Sequence, residues 1–380
     1  MSGSDLAHIT VLIVFAADSL LFIGLLVLKT IHRRRVERHN RRRSEYMRLI
    51  SRHLTYQNCT DPITPAMAED PAFLDALIDV RNAIVGPELD ALHAIVDRYG
   101  VTLSQRSRLR STFSLGRRLR AAVALAEMGD QSSAEVLIEH LADPAREIRI
   151  QAARGLGRIR WTPAIDAILS RLGTETPWVA TRFADTLVAF GRRATWPLLA
   201  YIRVNHKFEW KGPALAIRTL ASIGDEEAVG PLMDILDETG DPEIALATLE
   251  TLGVLGSPLA IDGIREAAFS PDWRIRAKAA TALGAIGDPS SSAELARSLT
   301  DHNWWVRRNS AAALAQIPGG IEHLYEALNG SDPYAADAAA ETLADTGELV
   351  AAKRRLDDGA PTVRDLALLG HMGDRALVSQ

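Results

Sequence analysis

The chain has 380 residues, a net charge of −5, and 47% hydrophobic but only 6% aromatic residues. This composition favours a folded helical protein and excludes intrinsic disorder as the default state. The single cysteine, Cys59, excludes an internal disulfide framework. The folded part of the chain is acidic and lacks a recognisable nucleic-acid-binding motif, which argues against nucleic-acid binding.

The first predicted element is apolar. Residues 6–28 form a run without Lys or Arg, which as a helix would reach roughly 34 Å, enough to cross a hydrocarbon core of about 30 Å. We predict a transmembrane helix here. Because the positive charges follow the run, the positive-inside rule places the N-terminus outside and the rest in the cytoplasm. The expected location is the inner cell membrane, in a single pass.

One acidic residue, Asp18, lies near the centre of the predicted span. An ionisable residue at membrane depth costs about 2.5–3.5 kcal/mol on insertion scales and indicates a functional contact by default. Ala16, Ala17 and Gly24 would let another helix approach it. We therefore predict an intramembrane contact between Asp18 and a partner's span; a tolerated, protonated carboxyl is the alternative.

A basic juxtamembrane segment is predicted over residues 29–56. It contains a cluster of seven arginines: Arg33, Arg34, Arg35, Arg38, Arg41, Arg42 and Arg43. Such a cluster is typical of the cytoplasmic flank of a span. It would also attract an anionic lipid surface, at about 1 kcal/mol for each basic residue.

Residues 57–112 do not share the pattern that follows them. A turn-rich stretch, "NCTDPITP", precedes three segments that begin with Pro or polar residues, "DPAFLDALIDVRNAIV", "GPELDALHAIVDRYG" and "TLSQRSRLRS". These features predict three helices. We interpret them as a helical cap on the following array; an adaptor that docks the array onto a partner is the alternative.

From residue 113 the sequence repeats. Related segments, such as "ARGLGRIRW" and "TALGAIGD", recur with spacings of 29 to 33 residues. In each unit an Ala/Leu-rich helix meets a Gly or Pro stop and a shorter helix follows. This period predicts an all-α solenoid of about eight helical hairpins over 113–357, in which neighbouring hairpins complete the core. Residues 358–380 are predicted to form a degenerate C-terminal cap repeat.

The segments "DPAREIRIQAARGLGRI", "SPDWRIRAKAATALGAIGD" and "DHNWWVRRNSAAALAQI" resemble short HEAT repeats of the kind found in phycobilisome lyases. The whole layout is similar to bacterial membrane-anchored HEAT-repeat proteins, some of which accompany membrane glycosyltransferases. The recurring Asp and Arg residues resemble the ladder that ties one HEAT unit to the next by charge-assisted hydrogen bonds. The residues that fit this structural ladder are Asp143, Arg149, Arg276, Asp301 and Arg307.

Tryptophan recurs near the start of the first helix of several units, at Trp178, Trp210, Trp273, Trp304 and Trp305. This repetition would align the side chains along one edge of the array. Packing between units is one interpretation. The other is an aromatic strip that anchors a protein partner, since Trp is enriched at binding hot spots.

No catalytic motif, metal site or cofactor site is expected, because the ten histidines are scattered and no nucleophile elbow or phosphate loop occurs. We predict a membrane-anchored cytoplasmic HEAT scaffold that binds a protein. One alternative is an accessory subunit of an integral membrane enzyme, such as a glycosyltransferase, engaged through the span. Another is a catalytic HEAT-repeat protein.

Overall fold

The computed structural model describes residues 3–56, 63–64, 66–111, 113–205 and 211–378. All regular elements within these ranges are helical, and the predicted all-α class is confirmed. The chain divides into two compact units, Met1–Ile159 and Arg160–Gln380.

Unit one contains these α-helices among its described residues: α1 (Gly3–Thr55), α2 (Pro71–Ala83), α3 (Pro87–Arg98), α4 (Val101–Ser111), α5 (Leu115–Met128), α6 (Ala134–Glu139) and α7 (Arg146–Ile159). The three helices predicted between residues 57 and 112 are α2, α3 and α4. Asp70 caps α2, since its carboxylate accepts a hydrogen bond from the N–H of Ala72 and proline occupies the first helical position.

The C-terminal part of α1 belongs to the core of unit one. Ile50 is fully buried, and Tyr46 and Met47 pack beside it against a cluster that includes Phe73 and Leu77 of α2. The Tyr46 and Phe73 rings meet edge to face with their centroids 5.3 Å apart. The residues predicted to form a juxtamembrane segment therefore contribute to a packed helical interface.

The predicted membrane span over residues 6–28 is wrong. Among the described residues, no helix combines the length and the apolarity that crossing a membrane requires. Polar residues such as His8 and Ser19 interrupt the apolar run, and α1 continues unbroken into the basic segment. The inner-membrane location, the N-out topology and the intramembrane role of Asp18 lose their basis. The side chain of Asp18 lies outside the described part of the structure.

The middle of α1 nevertheless exposes large apolar side chains. Leu20, Phe22 and Leu28 are all more than 60% exposed, and Ile31 is 46% exposed. These residues point in several directions around the helix axis, because their spacing does not follow a single helical face. The apolar surface of this stretch is therefore uncovered in the structure.

Unit two consists of helical hairpins, and its described helices are α8 (Ala164–Leu169), α9 (Pro177–Ala189), α10 (Thr195–Asn205), α11 (Lys211–Ile223), α12 (Val229–Glu238), α13 (Pro242–Leu255), α14 (Ile261–Ala267), α15 (Trp273–Ile286), α16 (Ser292–Ser298), α17 (Trp304–Gln316), α18 (Gly320–Leu328), α19 (Pro333–Asp345), α20 (Glu348–Asp357) and α21 (Val363–Val378). The odd-numbered helices from α9 to α19 are the first helices of the hairpins, and each packs on the next. The stack of hairpins matches the period in the sequence.

Small residues let consecutive first helices approach closely. A Cβ atom added to Gly284 of α15 would lie 2.7 Å from the Cα of Ala313 in α17. Gly253 of α13 stands in the same relation to Ala282 of α15, at 3.0 Å. Real Cβ atoms essentially never lie as close to a backbone atom as 2.7 Å and rarely as close as 3.0 Å, so the helix spacing depends on glycine at Gly284 and is tight at Gly253.

Side-chain caps fix where the first helices begin. The carboxylates of Asp241, Asp272 and Asp332 and the amide oxygen of Asn303 each accept a hydrogen bond from a backbone N–H two residues further on. Each satisfies a donor that the helix leaves unpaired at its first turn. The first turns of α13, α15, α17 and α19 are thereby defined at equivalent positions of successive repeats.

Candidate functional site: a ladder and an aromatic edge

Arg276 of α15 ties its own repeat to the next one. Its Nε and Nη2 atoms donate to the two carboxylate oxygens of Asp301, at 2.8 and 2.9 Å. Its Nη1 atom donates to the carbonyl oxygens of Ser270 and Pro271, at 2.9 and 3.2 Å. With only 8% of Arg276 exposed, this two-pronged ion pair is well shielded from water.

Asp301 accepts hydrogen bonds from two successive repeats. Its carboxylate binds Arg276 of the preceding repeat, while its main-chain carbonyl accepts from Arg307 of its own repeat at 2.8 Å. In unit one, Asp143 is placed in the same way. Its carboxylate pairs with Arg118, and its carbonyl accepts from Arg149 at 2.9 Å. Each aspartate therefore joins two arginines rather than one.

The ion pair shifts the pKa of both partners. Burial alone would raise the pKa of the Asp301 carboxyl, but the hydrogen bonds from Arg276 and from the N–H of Asn303 outweigh it and hold that pKa below its ordinary value. The hydrogen bonds to Asp301 raise the pKa of Arg276. Both groups are therefore charged at neutral pH and support each other electrostatically.

Four aromatic side chains stand at the starts of three consecutive first helices. We call Trp273, Trp304, Trp305 and Tyr334 the aromatic edge. Trp273 and Trp304 occupy the first position of α15 and α17, while Trp305 and Tyr334 occupy the second position of α17 and α19. Their exposed fractions are 38%, 43%, 49% and 63%. These side chains are only partly covered by their own repeats.

Ring and guanidinium contacts hold three of the four rings of the aromatic edge in place, those of Trp304, Trp305 and Tyr334. The Trp304 and Trp305 rings meet edge to face, with centroids 4.6 Å apart. The guanidinium of Arg308 lies 5.2 Å from the Trp304 ring centroid, and that of Arg307 lies 5.1 Å from the Tyr334 centroid. These distances are within the range of cation–π attraction. Arg307 therefore connects the ladder to the aromatic edge.

The other two predicted tryptophans are placed differently. Trp178 occupies the second position of α9 and is 55% exposed, with the guanidinium of Arg182 5.9 Å from its ring centroid. Trp210 lies outside the described residues. Between Trp178 and the aromatic edge, α13 begins with Pro242 and Glu243, which supply no ring. Among the described first helices, aromatic residues at consecutive helix starts therefore occur on α15, α17 and α19.

Tyr334 was not predicted from the sequence, because only the recurrence of tryptophan was considered. The signal was available, since "SDPY" places an aromatic residue directly after an Asp-Pro helix start. Sequence reasoning also missed the exposed Trp196 of α10, whose Nε1 donates to Glu227 at 3.1 Å. Trp196 lies on the second helix of its hairpin, so the recurrence of tryptophan at the starts of first helices did not predict it.

Two of the seven arginines predicted to face a lipid surface instead hold α1 to α2. Arg42 pairs with Asp70 at 2.5 Å, and Arg43 donates two hydrogen bonds to Asp79 at 2.5 and 2.6 Å. The remaining five are exposed: Arg33, Arg34, Arg35, Arg38 and Arg41. The anionic lipid contact predicted for this segment depended on the membrane span and loses its support with it.

In the part of the chain that the structure describes, no three His, Cys, Asp or Glu side chains are grouped in a way that could hold a metal ion. The buried carboxylates there are engaged by arginine. Glu127 of α5, for example, accepts from Arg154 and Arg158 of α7. Such pairs join helices across a repeat interface.

The stacked hairpins, their ladder and their exposed edge define a helical repeat protein. A family model for HEAT repeats matches residues 107–188, 197–269 and 262–344, which is more than half of the chain. The chain belongs to the HEAT-repeat family, and the predicted resemblance is confirmed at this level. No match was found among curated proteins.

Solved structures with a similar fold include the karyopherin Kap121p, with a TM-score of 0.52 at 14% identity over 75% of this chain and 38% of that one. The chain thus spans well under half of Kap121p. A chain of the CpcE–CpcF complex of phycocyanin lyase from Nostoc sp. PCC7120 is 21% identical over 63% of this chain and 94% of that one, with a TM-score of 0.33. At 14% identity the similarity to Kap121p shows the fold alone.

Proposed function

We propose that the chain is a non-catalytic HEAT-repeat scaffold that binds a protein partner through the aromatic edge. The observation that carries the proposal is the partial exposure of Trp273, Trp304 and Trp305 at the starts of two adjacent, well-packed helices. Tryptophan is enriched at the centres of protein interfaces, where one large ring fills a pocket on the partner. Kap121p, which has a similar fold, has been crystallised bound to Nup53p and to Pho4p.

The exposed area is large enough to matter for affinity. A tryptophan offers up to about 250 Å² of surface, so covering the exposed parts of the three rings would remove roughly 200–300 Å² from water. At about 25 cal/mol per Å² this is a gross gain of about 5–8 kcal/mol. Association costs consume much of that gain. We therefore expect the edge to be the anchor of a larger contact surface.

In this proposal the ladder fixes the positions of the aromatic-edge residues before a partner binds. Arg276 and Asp301 fix the spacing between the repeats that begin with Trp273 and Trp304, and the ring contact restricts the rotamers of Trp304 and Trp305. A partner would then lose less conformational entropy from this surface when it binds. In this proposal the aromatic residues bind, and the arginines and aspartates set their positions.

The test is affinity purification of the tagged full-length chain from its native cells, with quantitative mass spectrometry. We compare the wild type with Trp273→Ala/Trp304→Ala and with Trp196→Ala, an exposed tryptophan outside the edge. The proposal expects one protein to be lost with the double variant and retained with Trp196→Ala. That protein should then bind the purified wild type directly in calorimetry. Equal recovery with all three chains, each shown to be folded, would overturn the proposal.

A further inference from the structure

Unit one contains a basic cavity that the proposed function does not use. It has a volume of about 380 Å³ and lies where α2, α4, α5 and the short helical turn Met67–Glu69 meet. Its lining includes Arg108 from α4, Arg117 and Arg120 from α5, and Glu69 from the turn. Three cations thus face one carboxylate.

The single carboxylate is already engaged. Glu69 pairs with Arg108 at 3.1 Å, and Arg108 also donates to the main-chain oxygen of Glu69 at 3.3 Å. Arg117 and Arg120 are exposed, and neither pairs with a carboxylate among the residues that the structure describes. They stand one turn apart on the same side of α5, so their like charges repel each other.

Neighbouring arginines of unit one behave differently. Arg118, between the two, pairs with Asp143; Arg110 binds both carboxylate oxygens of Glu139; and Arg106 donates to the carbonyl oxygen of Ser132. Arg117 and Arg120 thus differ from Arg118 and Arg110 in lining the cavity without a paired carboxylate among the described residues. An excess of about two positive charges in a concave site raises the local concentration of anions.

We propose that this cavity binds a phosphate monoester, with Arg117 and Arg120 holding the phosphoryl oxygens. The planar guanidinium presents paired donors that match two oxygens of a phosphate. Pro71 and Leu74 form an apolar wall beside the arginines, against which the organic part of the ester rests. The cavity is larger than a phosphate ion alone needs, which favours an ester over free phosphate.

Isothermal titration of the full-length chain at low ionic strength tests the site, with phenyl phosphate and inorganic phosphate as separate probes. Phenyl phosphate should bind with one site per chain, and more tightly than inorganic phosphate. Arg117→Gln/Arg120→Gln should weaken binding by about tenfold or more, because two charge-assisted contacts are lost. Glu69→Gln should strengthen it by about threefold, because the one opposing charge is removed.

Arg193→Gln is the matched control, since Arg193 is an exposed arginine of unit two outside the cavity. It should leave the affinity unchanged. Absence of saturable binding to either probe would overturn the proposal. So would an equal affinity of the wild type and the double variant, or an equal loss in Arg193→Gln, which would show general charge attraction. Tighter binding of inorganic phosphate than of phenyl phosphate would overturn the choice of an ester.

Discussion

Trp273 and Arg276 lie one turn apart in α15, yet their surroundings differ sharply. Arg276 is 8% exposed and donates to both oxygens of Asp301, whereas Trp273 is 38% exposed and lies on the aromatic edge. The arginine faces the next repeat and the tryptophan faces outward. One helical turn thus serves two purposes: its inner side fixes the repeat spacing, and its outer side offers a surface. Substitutions on the two sides should have different consequences.

The largest effect is expected on the inner side, from Asp301→Ala. The variant leaves Arg276 buried without its carboxylate, and removing one partner of a buried pair costs about 3–5 kcal/mol. We expect the free energy of unfolding, measured with urea, to fall by about 3 kcal/mol.

The exposed pair between Arg182 and Asp185 provides the control. Its side chains are 53% and 58% exposed, and such pairs contribute about 0–1 kcal/mol. Asp185→Ala should therefore change the urea midpoint little. If both aspartate variants lose equal stability, the ladder carries no special role.

Gly284→Ala tests the close approach of α15 and α17. The added methyl group would lie 2.7 Å from the Cα of Ala313, so the helices must move apart, and overpacking of this kind costs about 1–3 kcal/mol. In α12, an added Cβ at Gly230 meets nothing within 4 Å. Gly230→Ala should stabilise the chain by up to about 1 kcal/mol, because alanine favours the helix. Opposite signs in thermal denaturation would support the close approach; an unchanged or raised midpoint for Gly284→Ala would contradict it.

A smaller loss of stability for each residue is expected on the outer side, from Trp273→Ala/Trp304→Ala. The rings are partly exposed, so the removal of each should cost about 2 kcal/mol, less than Asp301→Ala, when the buried area is discounted for residual contacts in the unfolded chain. Circular dichroism should show unchanged helix content. A collapse of the thermal transition would instead show that the rings are part of the core between repeats.

The sequence predicted the hairpins because their period is set by local chemistry. Gly256 and Gly287 end α13 and α15 in the left-handed conformation, at φ of 66° and 74°, and capping residues start the next first helix. Such signals act within a few residues, and so they can be read from the chain. The resemblance to HEAT repeats then located Arg276 and Asp301.

Other features depend on contacts that a sequence does not contain. Asp301 lies six residues before Arg307 in the sequence, but its carboxylate binds Arg276 of the preceding repeat, and Arg307 contacts its carbonyl oxygen. Likewise, the arginine cluster of α1 suggested a flank at a membrane. Arg43 instead binds Asp79, because the fold brings α2 against this part of α1. The partner of a long side chain is decided by packing between helices that are distant in sequence.

The smallest expected effect is on the pH dependence of stability. It distinguishes the charge of the Asp301 carboxylate from its role as a hydrogen-bond acceptor. Because the folded-state pKa of Asp301 is lowered, its charge contributes stability that is fully present above the ordinary carboxyl value of about 3.9 and is lost as the pH falls through the folded pKa. The stability difference between the wild type and Asp301→Asn should therefore be constant from about pH 7 to 5 and shrink below about pH 4. Urea midpoints at each pH measure it, and Gly230→Ala, which changes no titratable group, should show a constant difference. If the Asp301→Asn difference is also constant, the carboxylate acts as a hydrogen-bond acceptor whose charge adds no stability.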